Sequence, residues 1–528
     1  MKFKVDLVLH GSPTVQFDWK HGNCYSLPNT SLNDASFLNT SLMSSDSDFI
    51  LFWNQNRPVP SIEDVKTLCM RNLDLMHGSY WLDEKMEPRF LNYVKPIWLY
   101  NLQASIDVEF SSFRCTSNNT LIKTTVFKNN FIVANSYKSI DFYFLDLGYR
   151  LLNNGGVVRY TPILNATKKN INSNLPTIDN INFIQQFHGK KWCLYAKVRA
   201  FLSKDLMSSN LLFAKIKTDL PTFKSIERVY TKRENNATDT SISVLAPTLD
   251  RYWYINNTIK QLQNQTLRPL EILITDQTDS DKRQSVITEG LEVPVRYFIQ
   301  EEKGQVIAWN KLISEAKGSY LLFLGDDADH IYPDFCKDLM QSLLDTNADM
   351  MASRVVEKGI AYGMVPKGIK MTETFPITLI KRDIVRSSGM YNMFFNKGIR
   401  ADADLAIRCH LKGALMLINN NVEIFHHRAP SGGLRSHKQR KVTFYMSQNT
   451  IRNYTFQTET ELYIAHKYFT KKQIKEESLR RKITLFTVKG NVLKKGLKFI
   501  YILLNFPFIH RKIRRNKIRA LNQIQIER

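Results

Sequence analysis

Paired cysteines, long apolar runs and acidic charge are all scarce in this chain of 528 residues. The six cysteines, Cys24, Cys69, Cys115, Cys193, Cys336 and Cys409, are scattered and form no C-x-x-C pair. That makes a poor disulfide framework and a poor zinc site, and it fits a reducing compartment. No apolar run approaches the ~20 residues a membrane-spanning helix needs; the best, Phe499–Ile509, is about half that and contains Asn505 and Pro507. The opening MKFKVDLVLHGSP has too short an apolar core, around Val5–Leu9, for a secretory signal. A cytoplasmic protein is expected. Acids are outnumbered 49 to 73, a net charge of +24, which implies a polyanionic partner. Between Lys471 and Arg528, 17 basic residues face 3 acidic ones, so +14 of the +24 lies in the tail. No zinc-finger spacing, RNA-recognition signature or aromatic-interleaved basic patch accompanies it, so nucleic acid is not the expected partner.

What is present is ordinary globular composition, 43% hydrophobic and 23% charged. The length suits about three domains at roughly 150 residues each. A polar stretch, Thr231–Thr240, reads as a linker. After it come Ser241–Pro247, a β-branched run closed by proline, and Tyr252–Gln265, with Ile255, Ile259 and Leu262 at helical spacing. Glu271–Asp276 and Val293–Ile299 read as further strands, Ile307–Lys317 as a helix stopped by Gly318, and Tyr320–Leu324 as a fourth strand ending in GDDAD. Recurrent strands with helices between them predict an α/β fold with a mostly parallel sheet, in which ligands bind beyond the carboxyl ends of the strands. Asp250, Asp276, Asp326, Asp327 and Asp329 gather at those ends. Carboxylates without Cys favour a hard cation, Mg²⁺ or Mn²⁺, bridging to phosphate oxygens. A solvated loop and helix start would also use acids, but not at the ends of two buried strands of one sheet.

The run SVLAPTLDR…TIKQLQNQTLRPLEILITDQTDSD…EEKGQVIAWNKLISEAKGSYLLFLGDDAD resembles the nucleotide-binding half of family 2 inverting glycosyltransferases. The matching residues include Pro247, Thr248, Gln265, Thr266, Asp276, Gly304, Ala308, Asn310 and Gly318. The likeness runs from about Ser241 to about Arg435. It implies a GT-A fold, Rossmann-like, and transfer of a sugar from a nucleotide-diphosphate donor, a UDP-sugar foremost, to a saccharide or lipid-linked saccharide acceptor. By this resemblance Pro247, Thr248, Asp250, Asp276, Asp326 and Asp327 face the nucleotide-sugar, Asp276 at the nucleobase, while Asp327 and Asp329 hold the metal. Two departures stand out: the usual Ala-Arg-Asn is Ala308-Trp309-Asn310, and only the first of the paired acids after the second strand is kept, as Asp276-Gln277.

GIRADADLAIRCHLKG, Gly398–Gly413, resembles the family's Glu-Asp-x-Asp-Leu-x-x-Arg segment. Asp402 falls on the position of the base, which takes the acceptor proton in an inverting transfer; capping of the following helix is the structural alternative. His426 and His427 end another apolar run, and His426 is a candidate metal ligand. Adjacent strand residues face opposite ways, so only one of the two is expected at the site. Arg428–Arg435 reads as a basic loop over phosphates.

The first 235 residues carry an echo of the same pattern. Asp146–Gly155 and Asp404–Gly413 share Asp-Leu-x-x-Arg-x₄-Gly, and Asp48–Pro60 is similar to Ser319–Pro333 with Asn54, Gln55 and Asn56 in place of acids. The expected organisation is a degenerate GT-A-like or accessory domain over 1–235, the catalytic GT-A domain over 236–440, and a basic helical region over 441–528. That last region places Lys and Arg around Phe499–Ile509 and suits peripheral attachment to an anionic membrane surface, the inner face of the cell membrane. The expected function is cell-surface polysaccharide or glycolipid synthesis. A nucleotidyltransferase, or a non-catalytic carbohydrate-binding or scaffold protein, remains the alternative.

Overall fold

The computed structural model describes residues 3–10, 19–27, 42–58, 60–71, 73–80, 89–94, 101–131, 137–165, 176–203, 239–357, 368–427 and 444–528. Most of the linker Thr231–Thr240 and all of Arg428–Arg435 lie outside them. The chain divides into two compact units, residues 1–228 and 229–528.

In the first unit the elements run β1 (Val5–His10), β2 (Cys24–Leu27), β3 (Phe49–Asn54), α1 (Ile62–Met70), β4 (Leu75–His77), β5 (Phe110–Ser111), β6 (Asn119–Lys123), α2 (Thr124–Asn130), α3 (Ile140–Asn153), β7 (Val158–Tyr160) and α4 (Thr177–Leu202). The second unit runs β8 (Ile242–Thr248), α5 (Tyr252–Gln263), β9 (Glu271–Asp276), β10 (Val295–Ile299), α6 (Gln305–Glu315), β11 (Tyr320–Phe323), β12 (Ala328–Asp329), α7 (Phe335–Thr346), β13 (Met350–Glu357), β14 (Ile369–Met371), β15 (Thr378–Lys381), α8 (Arg382–Ser387), α9 (Ala401–Leu411) and β16 (Met416–His426). Helices α10 (Phe444–Asn449), α11 (Glu459–Tyr468), α12 (Lys471–Thr484) and α13 (Val492–Ile526) complete it.

The two sheets have one design. The first is ordered β2-β1-β3-β6-β4-β7-β5; the second contains β9-β8-β11-β15-β13-β16-β14. Direction matches at each step: parallel through β2, β1 and β3, antiparallel across β6, parallel again from β4 to β7, and antiparallel to β5. The second sheet repeats this from β9 to β14. Among the described residues the first unit lacks counterparts of α5, β10, α6 and β12 of the second. Its sheet is a shortened version of the sheet of the second unit.

The shared Asp-Leu-x-x-Arg motif has a structural job in both. On α3 the Arg150 guanidinium pairs with Asp146 and donates to the carbonyl of Asn130, the last residue of α2, at 3.1 Å. On α9 the Arg408 Nε donates to Asp404 at 2.9 Å, and its other nitrogens reach the carbonyls of Ser388 and Met390, just past α8. Each arginine thus ties its helix to the preceding one by satisfying carbonyls left open at a helix end. A tyrosine hydroxyl donates to each aspartate, Tyr137 to Asp146 and Tyr468 to Asp404, both at 2.8 Å. Gly155 and Gly413 end the two helices at φ of 97° and 91°, the left-handed region that glycine enters freely.

Strand β8 is buried on both faces by Ile242, Val244 and Leu245, and α5 covers it with Ile255, Ile259 and Leu262, as their helical spacing predicts. Gly318 is needed where β11 begins, because a Cβ there would sit 2.6 Å from the Ser243 backbone nitrogen. The basic C-terminal region is docked on the second unit, not appended to it: Leu485, Ile502 and Ile509 form a small core against Tyr454 and Phe456. At its far end Glu527 accepts from Asn392 and Lys467 at 2.9 and 2.6 Å.

Candidate active site

The three parallel strands β9, β8 and β11 deliver their carboxyl ends to one edge, and the acids found in sequence separate there by partner. Asp276, opposite Thr248 across the β8–β9 pairing, is buried. Its carboxylate accepts from Tyr252 and Tyr297 hydroxyls, both at 2.6 Å, and from the Thr278 amide at 2.8 Å. Burial pushes this carboxyl up, but those hydrogen bonds outweigh it and hold it below its ordinary value. Pro247 pairs with Thr275 inside the sheet. Asp250 is exposed at φ 57°, a conformation aspartate tolerates, and its amide donates to Thr278.

Asp326 and Asp327 are buried side by side at the end of β11. Thr248 Oγ1 donates to Asp326 at 3.0 Å, and Arg251 reaches Asp326 at 2.7 Å and Asp327 at 3.4 Å. Burial lifts the Asp326 carboxyl to about 6, with Arg251 pulling against it and the Asp327 charge adding to it. The Asp327 carboxylate lies 2.9 Å from His426 Nε2. Asp329 is committed elsewhere. It takes His427 Nε2 at 2.6 Å, Asn257 Nδ2 at 3.0 Å, the His330 amide at 2.7 Å and the Gln261 amide. Burial opposes ionisation of Asp329, yet His427 and the amide donors hold it at about 2. Both neighbouring histidines therefore meet an acid, because β12 pairs with β16 and sets Asp329 against Phe425. Only His426 lines the adjoining cleft.

The residues fit a divalent cation at Asp327 and His426. One carboxylate and one imidazole stand together, and Gly325 leaves the space beside them bare: a Cβ there would lie 3.4 Å from Asp327 Oδ1 and 3.9 Å from His426 Nε2. Among the described residues no group of three or more His, Cys, Asp or Glu forms a ready cage. A cation here would draw its remaining ligands from phosphate oxygens and water, the habit of Mg²⁺ and Mn²⁺ at nucleotides.

From Gly325 and His426 a cleft of 510 Å³ opens, lined also by Trp309, Tyr391, Glu357, Arg400 and Asp402. Asp402 stands in the first turn of α9 and is exposed. The Arg408–Asp404 clamp holds this helix to the segment around Met390, next to Tyr391. Trp309 stacks on Tyr391 at 6.2 Å and packs against Phe323 at 5.1 Å, giving one wall of the cleft an aromatic face. Asn310 locks that wall, exchanging hydrogen bonds with the Tyr391 main chain at 2.8 and 2.9 Å. Burial raises the Tyr391 hydroxyl's pKa, and the nearby Asp402 charge adds to it.

Three site residues escape sequence reasoning. Arg251 brings a cation between Asp326 and Asp327; its place directly after the β8 acid was the available signal. Glu357 ends β13 as an acid at a strand terminus, and Trp309 reads in sequence only as a lost arginine.

Residues 243–407 match the family described as Glycosyl transferase family 2. A Campylobacter jejuni protein named GalNAc(5)-diNAcBac-PP-undecaprenol beta-1,3-glucosyltransferase is 30% identical over 122 residues, 22% of this chain and 39% of the relative. The chain thus spans well under half the length of that relative. Among solved structures, S. aureus TarS 1–349 in complex with UDP-GlcNAc aligns at 13% identity and TM-score 0.35, over 54% of this chain and 80% of that one. The mannosyltransferase PcManGT from Pyrobaculum calidifontis, in complex with GDP-Man and Mn²⁺, aligns at 13% identity and TM-score 0.36, over 56% and 90%.

Proposed function

We propose that the family 2 glycosyltransferase domain formed by residues 243–407 is a divalent-cation-dependent inverting enzyme that moves a sugar from a nucleoside-diphosphate donor to an acceptor hydroxyl. One observation carries the reading: the histidine that meets Asp327 and the carboxylate of Asp402 line the same 510 Å³ cleft, at the carboxyl ends of parallel strands. Asp327 and His426 would hold the cation, which would neutralise charge at the diphosphate leaving group. Arg251 holds Asp326 and Asp327 together where two bare carboxylates would repel. Asp276 backs the nucleobase end through Tyr252 and Tyr297. Asp402 accepts the acceptor's proton as the hydroxyl oxygen bonds to the anomeric carbon from the face opposite the leaving group. The anomeric C–O bond breaks, and its electron pair departs with the diphosphate. Trp309 and Tyr391 offer an apolar wall to a sugar ring, as polar-rimmed saccharide clefts commonly do. Asp329, with its partners on α5 and His427, positions β12 instead of binding metal.

The name of the Campylobacter jejuni relative specifies an undecaprenol-diphosphate-linked acceptor, which supports a lipid-linked saccharide acceptor here and a role in polysaccharide or glycolipid synthesis. UDP-, GDP- and dTDP-sugars are screened with Mn²⁺ for transfer and, by calorimetry, for binding. Asp327→Ala and His426→Ala each weaken cation-dependent donor binding about 10- to 100-fold, the usual scale for losing metal-site groups. Equal donor affinity with Mn²⁺ and with chelator rejects the metal site, and no turnover of any donor rejects the activity.

A further inference from the structure

Helix α13 has two apolar faces, and only one is covered. Toward the protein, Ile502 and Ile509 are fully buried, and the buried Lys498 ammonium donates to the carbonyls of Thr450, at 3.2 Å, and Asn453. Two residues further along a helix lies the opposite side, since each residue turns about 100°. There Leu493, Leu497, Ile500, Leu504 and Phe508 recur at spacings of three and four, between 47% and 77% exposed, and Phe499 and Leu503 widen the stripe. A continuous bare stripe of this kind marks a surface that something covers. Past Phe508 the same side turns to charge with Arg511 and Arg515, both exposed, and Lys494 and Lys495 flank the other end. The helix holds nine Lys and Arg and no Asp or Glu.

We propose that the outward face of α13 lies on an anionic lipid surface. Leucine, isoleucine and phenylalanine side chains would enter the acyl boundary, and the cations at both ends would meet negative headgroups. A second copy of this chain is a poor occupant, because it would bring the exposed cations at the ends of this face, Arg511 and Arg515 among them, against those of its partner with no acid on either helix. No helix among the described residues is long and apolar enough to cross a membrane; the stripe from Val492 to Phe508 runs about 25 Å along the helix at 1.5 Å per residue, an arrangement for lying flat. The far end of α13 is tied to the cleft. Glu527 accepts from Asn392, Lys467 and the Tyr463 hydroxyl, and Asn392 adjoins Tyr391 of the cleft wall. A lipid-docked α13 therefore holds the cleft at the surface where a lipid-linked acceptor resides. This last step rests on the glycosyltransferase reading; the docking itself does not.

The full chain is sedimented with phosphatidylcholine vesicles and with vesicles that also contain phosphatidylglycerol. Binding is expected to be at least about tenfold tighter to the anionic vesicles and to weaken steeply as salt rises through the range where the Debye length falls below ~8 Å. The double variants Leu493→Ser/Leu504→Ser and Arg511→Glu/Arg515→Glu each lower it about tenfold or more, with donor turnover and melting temperature unchanged, since all four side chains are exposed. Equal binding to neutral and anionic vesicles, wild-type binding by both variants, or lipid-free self-association that the variants abolish would overturn the proposal. Absent donor turnover with intact, variant-sensitive vesicle binding would count against the glycosyltransferase reading alone.

Discussion

Asp402 and Asp404 stand two residues apart in one motif, one proposed as the base and the other held in a clamp, so replacing each carboxylate by its isosteric amide separates chemistry from scaffold. Asp404 is fully buried and accepts from Arg408 at 2.9 Å and from Tyr468 at 2.8 Å. Asp404→Asn leaves Arg408 without its counter-charge in a largely enclosed site. Removing one partner of a buried pair costs about 3–5 kcal/mol. The unit 229–528 has about 300 residues, so its unfolding entropy at ~2.1 cal/mol/K per residue is about 0.6 kcal/mol/K, and the melting point falls by about 5–8 °C. Asp402 is exposed, so Asp402→Asn changes stability by less than about 0.5 kcal/mol, under about 1 °C. It should instead cut turnover about 100-fold or more, the scale of a positioned general base, with donor affinity within a few-fold of wild type. Scanning calorimetry and a transfer assay on the two variants read both quantities. If Asp402→Asn kept its turnover, the base would not be Asp402; if Asp404→Asn melted with the wild type, the clamp would not be structural.

Two further tests concern the first unit and the helix end. Arg150→Ala strands the buried Asp146 carboxylate and the Asn130 carbonyl, and should destabilise residues 1–228 by about 3–5 kcal/mol in urea unfolding; a loss below about 1 kcal/mol would show that the motif is not a clamp there. Burial works against ionised Glu527, but hydrogen bonds from Gln523, Lys467, Tyr463 and Asn392 hold its carboxyl at about 2 against an ordinary 4.5. A depressed pKa contributes stability that is complete above about pH 4.5 and is lost as pH falls toward 2. The gap in urea midpoint between wild type and Glu527→Gln should therefore be open at pH 7 and shrink steadily below pH 4.5, and a gap independent of pH would refute the tether.

The strands of the second unit were legible because buried parallel strands are written as continuous apolar and β-branched runs. Ile242–Thr248, Glu271–Asp276 and Tyr320–Phe323 each begin within a residue of where that pattern puts them. Strand-end acids were legible for the same reason: a charged residue closing an apolar run stands out. What those acids touch was not. Asp329 is claimed by Asn257 and Gln261, some 70 positions earlier on α5, and spacing alone pairs it with Asp327. The lost arginine at Trp309 suggested a missing basic contact, while Arg251, at the start of α5, brings a cation to Asp326 and Asp327. The tail was read through its charge, which hid the few buried positions, Lys498, Ile502, Ile509, Ala520 and Ile524, that dock it. Two of the residues that carried the resemblance are fasteners: Gln265 bridges to Tyr332 and Cys336, and Asn310 to Tyr391.

The two units together separate what a motif says about fold from what it says about chemistry. Both have the aspartate–arginine clamp, the tyrosine that supports it and the left-handed glycine after the helix, although their strand-end residues differ. In the first unit β3 closes on Asn54-Gln55-Asn56, and the Asn54 amide is engaged by Asn118 at 2.8 Å. The equivalent strand in the second unit closes on Asp326 and Asp327, whose partners are a cation and an imidazole. A clamp that ties one helix to the end of another serves the architecture whatever the sheet edge carries, and it is present in the unit whose β3 closes on amides. Asp-Leu-x-x-Arg therefore reports the architecture in either unit. On the proposed function, the carboxylates before it, Asp327 at the strand end and Asp402 at the helix start, are among the features that would separate a unit equipped for transfer chemistry from one that shares its frame.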